Sequence, residues 1–349
     1  MTQHRKVTMY TLADETGLSI ATISRAFDPH SRMKPEKRQL VLDTAKRLGY
    51  VQNKMAARLS QETVRIGVLI YGSIRNYYTG YVEGIRDAHA EYADYKVDCD
   101  LRVLDRTEHP AEEAYAVLNA FIETGCRGAI VSGLSSMQHA NALNRLADAG
   151  IPFILLDSDA PGSRRAGVSM NDSLTAGAMA AELLGMAMDI RPVHSRRAAV
   201  LRVSENNITQ VQRSQAFKEA APRYGIESVR IFDTENLPGQ AEIIMNRILD
   251  EDPALGGIYV SSANSVPVCQ MVRKLGLKTA LITSDVFDAL NEYILDGTVF
   301  ATLWQDPFSQ ARRAFEAMYA HLAEGQEIPE FIESRSQVVM RSNLHYFTK

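Results

Sequence analysis

The chain carries a diverged internal duplication, and no other feature narrows its fold as much. Arg65-Ile66-Gly67-Val68-Leu69 through Glu91-Tyr92 lines up without a gap on Arg197-Ala198-Ala199-Val200-Leu201 through Arg223-Tyr224. The likeness continues with Leu101-Arg102-Val103-Leu104-Asp105 on Val229-Arg230-Ile231-Phe232-Asp233, and Gly128-Ala129-Ile130-Val131 on Gly257-Ile258-Tyr259-Val260. It ends with Leu155-Leu156-Asp157-Ser158-Asp159 on Leu281-Ile282-Thr283-Ser284-Asp285. Each copy alternates short Val/Ile/Leu runs with amphipathic helical stretches such as 111–124 and 240–250. That alternation is the signature of βαβ units around a parallel sheet. Two copies predict an α/β body of two similar doubly wound lobes.

Ligands bind such sheets outside the carboxyl ends of the strands. Facing lobes would therefore place Ser73, Ser132, Asp157, Ser204, Ser261, Ser262, Asp285 and Gln305 around one cleft. Hydroxyls and carboxylates in that proportion suit a sugar or polyol. The first strand runs into Tyr71-Gly72-Ser73-Ile74, which is no dinucleotide fingerprint, and the chain has no Gly-Lys-Ser/Thr phosphate loop, so no nucleotide cofactor is expected. Asp157, Asp159 and Asp285 supply carboxylates for acid–base work, but no activated Ser, Cys or Lys stands beside them, and a binding role is preferred to catalysis. His89, His109, His139 and His194 lack metal-ligand spacing, and no metal is expected.

Ahead of the duplication the charge changes sign. Residues 1–63 hold 11 Lys/Arg against 6 Asp/Glu, whereas the remainder holds 27 against 36. A basic head on an acidic body points to a polyanionic partner. No apolar run approaches the ~20 residues of a membrane helix, and the first residues, MTQHRKVTMYTLADE, lack the apolar stretch of a signal peptide. Cys99, Cys126 and Cys269 are odd in number and widely spaced, which reads as buried thiols of a reducing cytoplasm.

The head itself reads as helices. Thr11–Thr16 begins one, with Leu12 and Ala13 inward, and Gly17-Leu18-Ser19 breaks it. Ser19 suits the N-cap of a second helix over 20–27, with Ile23 and Phe27 four apart on one face. Two short helices across a three-residue turn form a helix-turn-helix, which sets the first turn of its second helix against base edges in the major groove. A third helix is expected from Pro35 to about Leu48, stopped by Gly49, with Leu40, Val41, Ala45 and Leu48 as its core face.

Val7–Ser19 followed by Ala21-Thr22-Ile23-Ser24-Arg25 resembles the head of the LacI family of bacterial repressors. Leu48-Gly49-Tyr50, Asn53 and Ala56-Ala57-Arg58-Leu59-Ser60 are similar to the segment that ends that headpiece. The resemblance implies that Ile20 and Ala21 read bases and that Ser19, Thr22 and Arg25 position the helix. It adds Thr8, Tyr10, Ser24, Arg32, Asn53 and Ala56 to the DNA-binding set, with Leu59 wedged into the minor groove from a hinge helix. Such apolar wedges kink DNA at about a few kcal/mol per unstacked step. Three positions depart from the family pattern: Gln52 replaces a usual Pro, Lys34 a Ser cap, and Asp28 an Asn.

The body also resembles the LacI effector domain and periplasmic sugar-binding proteins, which implies the type I periplasmic-binding-protein fold. Asn76-Tyr77-Tyr78 looks like the family's aromatic loop beside the effector, and Arg213-Ser214-Gln215-Ala216-Phe217 like the stretch whose arginine binds it. Asp157, Asn264, Asp285 and Gln305 complete the implied effector set. Four of these have a plainer alternative: Tyr77 and Tyr78 as lobe packing, Arg213 as a surface ion pair, Asp285 as a cap. Trp304, the only tryptophan, is open between core and ligand platform. The expected organisation is a headpiece over 1–53, a hinge over 54–63 and a two-lobed effector and dimerisation body over 64–349. The implied function is a cytoplasmic transcriptional repressor, homodimeric on a pseudo-palindromic double-stranded operator and released by a sugar or polyol. Alternatives are a nucleobase-responsive corepressed regulator and a sugar sensor whose head docks another protein.

Overall fold

The computed structural model describes residues 7–27, 31–50, 62–71, 75–104, 110–134, 137–235, 237 and 239–348, with no side chains described at 75–77, 110 and 138. The expectations for Asp28, Gln52, Asn53, Ala56, Leu59 and Ser73, and for the side chains of Asn76 and Tyr77, lie outside the described residues.

The head folds as α1 (Met9–Thr16), α2 (Ile20–Ala26) and α3 (Pro35–Leu48). Helix α1 starts two residues before the sequence suggests, because Thr8 and Thr11 cap each other's backbone reciprocally. Gly17 ends it at φ 68°, a left-handed cap that costs glycine little, and Ser19 then accepts from the Thr22 N–H to start α2. Lys34 gives α3 no side-chain cap. The three helices bury Leu12, Ile23, Ala26, Val41 and Ala45, with Phe27, Leu48 and Tyr50 packed around them. Leu40 does not join them. It is 48% exposed, since the inward stripe of α3 runs Val41, Thr44, Ala45, Leu48, and Leu40 falls off that i, i+3, i+4, i+7 line.

The body is two six-stranded sheets. Strands β1 (Val64–Tyr71), β2 (Val97–Leu104), β3 (Gly128–Ser132), β4 (Phe153–Leu156) and β5 (Gly167–Asn171) form the first with β11 (Phe331–Ser334), ordered β11-β5-β4-β3-β1-β2 and parallel throughout. Strands β6 (Arg197–Arg202), β7 (Ser228–Asp233), β8 (Gly257–Val260), β9 (Ala280–Ser284) and β10 (Ala301–Trp304) form the second, parallel except for the antiparallel edge β12 (Gln337–Val339). Helices α4 (Arg75–Glu91), α5 (Pro110–Glu123) and α6 (Ala140–Asp148) serve the first sheet. Helices α7 (Ser173–Ile190), α8 (Ile208–Ala220), α9 (Gln240–Glu251), α10 (Val266–Lys274) and α11 (Asp288–Leu295) serve the second. Helix α12 (Pro307–Glu324) follows β10 but packs on the first sheet with α4. The chain thus crosses between lobes three times: after β5, after β10, and between β11 and β12.

The duplication survives strand for strand, with one correction. Ile66 pairs with Gly128 and Ala198 with Gly257, as the repeat alignment requires. The second and fourth strands, however, each slip by two residues from that alignment. Val68 lies beside Leu101 where Val200 lies beside Ile231, so Leu101 matches Ile231 rather than Val229. Asp157 and Asp285, not Asp159 and Asp285, are equivalent: their N–H groups donate to Ser169 (2.9 Å) and Leu303 (2.8 Å), the neighbouring strand's carbonyl in each sheet. A two-residue slip keeps every side chain on its own face, so hydrophobic alternation cannot expose it.

The thiols of Cys126 and Cys269 are buried and Cys99 is half-buried, and all three are free. Desolvation pushes the Cys99 and Cys269 thiols up to about 12, which makes them inert packing groups.

Candidate ligand site between the lobes

Strands β4 and β9 are each followed by an aspartate with left-handed backbone, Asp157 at φ 73° and Asp285 at φ 70°. Aspartate tolerates this region better than bulkier residues because its short carboxylate bonds locally. The turn sets each carboxylate at the carboxyl end of its sheet, where the lobes face each other. Asp157 is half-exposed, but Asp285 is only 3% exposed.

Asp285 is held by residues from two further elements. Gln305, just past β10, donates its amide to Oδ1 (3.0 Å) and Oδ2 (3.1 Å) of Asp285. The other end of that amide accepts from Arg213 Nη2 at 2.6 Å, and Arg213 Nη1 donates to the Ser261 carbonyl at 3.0 Å. Among the described residues Arg213 is the largest fully buried side chain, at 2% exposure. Gln305 therefore stands between cation and carboxylate and links them through one amide dipole. The Asp285 backbone is pinned as well, its carbonyl accepting from Thr302 Oγ1 at 2.6 Å. Burial raises the Asp285 carboxyl to about 7, helped by the charge of Asp157 and opposed by Gln305 and Arg213. Hydrogen bonds that favour the anion have not offset the loss of water.

Helix α8 carries Arg213 inward because α7 crosses it closely. A Cβ on Gly177 would sit 2.2 Å from the Arg213 carbonyl oxygen, so only glycine permits that approach. Around the arginine, Ser261 Oγ donates to Gln210 Oε1 at 2.6 Å and Gln210 returns a bond to the Ser261 carbonyl at 3.2 Å. Ser204, Ser261 and Ser262 are buried at the ends of β6 and β8, and Asn264 is half-buried with its N–H bonded to Ser262 Oγ. The lobes touch at Ser158, which bonds Asn207 Oδ1 at 3.3 Å and Thr209 Oγ1, both at the start of α8.

Of the eight residues singled out for a ligand, the structure brings Arg213, Asp285 and Gln305 into one hydrogen-bonded cluster, with Asp157 in electrostatic reach and Asn264 on the loop after β8. Arg213 is no surface ion pair, and Asp285 caps no helix: α11 begins after Phe287. Tyr78 is 7% exposed within the first lobe's core, which fits lobe packing. Trp304 packs edge-on against Phe347, centroids 4.9 Å apart, beside the outer core of the second lobe. Sequence reasoning missed Gln210, Gln310 and the Ser158–Thr209 contact. No local signal marked Gln310, because the sequence of α12 does not reveal which lobe the helix covers.

On the head, Thr8, Tyr10, Ser19, Ile20, Ala21, Arg25 and Arg32 are exposed, and Thr22 and Ser24 are half-buried. Three of them also serve the helix: Ser19 and Thr22 share a hydroxyl bond of 2.8 Å, and Arg25 Nε donates to the Ala21 carbonyl at 3.2 Å. Among the described residues no group of His, Cys, Asp and Glu could hold a metal ion, and no helix is long and apolar enough to cross a membrane.

Several known proteins resemble this chain over part of its length. Catabolite control protein A of Priestia megaterium is 30% identical over 154 residues, 44% of each chain, so less than half of that relative's length is matched. A glucose-galactose binding protein from Geobacillus stearothermophilus superposes with TM-score 0.70 at 23% identity, over 81% of this chain and 99% of its own. A LacI transcriptional regulator structure from Bacteroides fragilis, itself described as putative, gives TM-score 0.72 at 17% identity, over 82% and 100%. Both structural likenesses speak to the fold. The periplasmic binding protein domain matches residues 66–327, three-quarters of the chain and five of the six strands of each sheet, and the chain belongs to that family.

Proposed function

We propose that the protein is a LacI-type transcriptional regulator whose body binds a sugar or polyol and whose head binds operator DNA. The observation that carries this reading is the pairing, in one chain, of a basic three-helix head with a two-lobed binding body. The head presents the first turn of α2 to solvent, and Ile20, 39% exposed, is an apolar side chain with no role in the head's core. Ile20 and Ala21 would read base edges, with Thr8, Tyr10, Ser19, Thr22, Ser24, Arg25 and Arg32 holding the helix on phosphates. Asn53, Ala56 and Leu59 would engage the minor groove. In the body Arg213, Asp285, Gln305, Asp157 and Asn264 would bond the hydroxyls of the effector from the second lobe and the cleft, with Asn76 and Tyr77 closing from the first. A guanidinium fork and a carboxylate suit adjacent hydroxyls, each of which donates and accepts. A ligand bridging both lobes gains different contacts in open and closed states, as a switch requires.

The protein would act in the cytoplasm as a homodimer on a pseudo-palindromic site. A sugar-binding protein whose head docks another protein is the competing reading, and the head's charge favours DNA. The test is random-site selection followed by anisotropy titration, comparing the full chain with residues 64–349. The full chain should select one sequence and bind it with log K falling by about 0.9 per phosphate neutralised as log salt rises. Equal affinity of 64–349 for that sequence would overturn the assignment.

A further inference from the structure

The second chain crossing runs through Gln305, and this one residue belongs to two networks. Its side chain joins Arg213 to Asp285 in the pocket. Its carbonyl accepts from Gln310 Nε2 at 2.7 Å and from Ser334 Oγ at 3.3 Å. Ser334 ends β11 and opens the third crossing, and the amide of Asn171, which ends β5 and opens the first, lies 2.6 Å from Gln310 Nε2 and 3.1 Å from Ser336 Oγ. Gln310 itself is fully buried, its Oε1 accepting from Tyr81 of the first lobe at 3.4 Å and its backbone carbonyl accepting from Ser169 Oγ at 3.0 Å. The first and second crossings therefore meet at the Gln310 amide, and the third joins them through Ser334 at the Gln305 carbonyl that this amide holds.

The duplication sharpens the point. Register makes Asn171 the counterpart of Gln305, and the aspartates that follow, Asp172 and Asp306, each cap a helix that crosses to the opposite lobe. Gln310 lies four residues beyond Asp306, and the matching position beyond Asp172 is Ala176. The pseudo-twofold is broken at this position, where a buried amide replaces a methyl group.

We propose that Gln310 is a positioning residue that couples the pocket to the angle between the lobes, acting through Gln305. Lobe rotation changes the backbone of all three crossings, and Gln310 can follow only by shifting the Gln305 carbonyl. Because Gln305 is a single residue between β10 and the Asp306 turn, moving its carbonyl moves the amide that holds Arg213 and Asp285. A change in those pocket bonds is transmitted to the crossings by the same path. That a ligand supplies the change rests on the binding reading above. The mechanical link does not.

The experiment is amide hydrogen exchange with mass spectrometry on the full chain without any ligand, so its outcome is independent of whether a sugar binds. Gln310→Leu removes the donor and acceptor, and Gln310→Glu keeps the shape and the acceptor but loses the donor. Both should speed exchange about threefold or more at 280–286 and 208–214, segments that Gln310 does not touch, while β2 and α5 stay at parent rates. Ser334→Ala, a milder loss of the second donor, should act in the same direction and serves if the Gln310 variants do not fold. Changes confined to α12 and β11 in the variants that fold would overturn the proposal, because a packing role would loosen only its own neighbours.

Discussion

Asp285→Asn is expected to stabilise the protein and to do so more as pH rises. The carboxyl of Asp285 lies at about 7 in the fold against 3.8 for a free aspartate. Between those values the folded protein holds a proton that the unfolded chain has released, so stability falls as pH climbs from 3.8 through 7 and then levels. At roughly 1.4 kcal/mol per pH unit, the full interval is worth about 4 kcal/mol. Between about pH 5.5 and pH 8 the expected loss is about 2 kcal/mol. Asparagine keeps the size of the side chain and can still accept from Gln305 Nε2, but carries no charge to bury. Urea denaturation of parent and variant, followed by circular dichroism at both pH values, isolates this difference because every other titrating group is common to both. The variant should gain about 2 kcal/mol on the parent between the two conditions, with the parent less stable at the higher pH. Parallel pH profiles would refute the reasoning and mean that the carboxylate is solvated.

Three further outcomes are expected. Arg213→Ala should weaken binding of whichever sugar raises the melting temperature in a panel, since it removes a buried donor fork and strands Gln305 Oε1, at about 1–3 kcal/mol; calorimetry within a factor of two of the parent would place the ligand elsewhere. Gly177→Ala should cost about 1–3 kcal/mol of stability by overpacking α7 against α8, and an unchanged urea midpoint would show that the helices can part without loss. Exchanging Ile20 and Ala21 should move the preferred half-site, each altered base pair being worth about 1–3 kcal/mol, and an unchanged preference in random-site selection would remove α2 from base reading.

The sequence exposed what repeats and what periodicity can carry. Four Val/Ile/Leu runs recurring in order were enough for two parallel sheets, and Gly17, Ser19, Pro35 and Gly49 marked helix ends that the structure reproduces. Strand register was hidden, because a slip of two leaves the inward pattern of Leu101 or Ile231 unchanged. The exchange of α7 and α12 between lobes was hidden too, since a crossover helix looks the same from its sequence whichever sheet it covers. Arg213, Asp285 and Gln305 could be named singly from their positions at strand ends and on α8. That Gln305 would lie between the two charges depends on three elements meeting, and no local pattern encodes it.

The duplication also accounts for why the charged half of the pocket lies in the second lobe. The gapless match of 65–92 on 197–224 aligns Tyr81 with Arg213, one on α4 and the other on α8. Both are fully buried and both point at an amide near the crossings, Tyr81 at Gln310 and Arg213 at Gln305. In the first lobe the phenol serves the crossings, and Asp157 at the equivalent strand end stays half-exposed. In the second lobe the guanidinium and Gln305 close over Asp285, remove it from water and raise its proton affinity. One ancestral framework has thus been filled in two ways: a neutral hydrogen bond that steadies the joint, and a charged cluster whose carboxylate is costly to bury. A rotation of the lobes bears on both at once, because Gln310 touches the first and, through Gln305, the second.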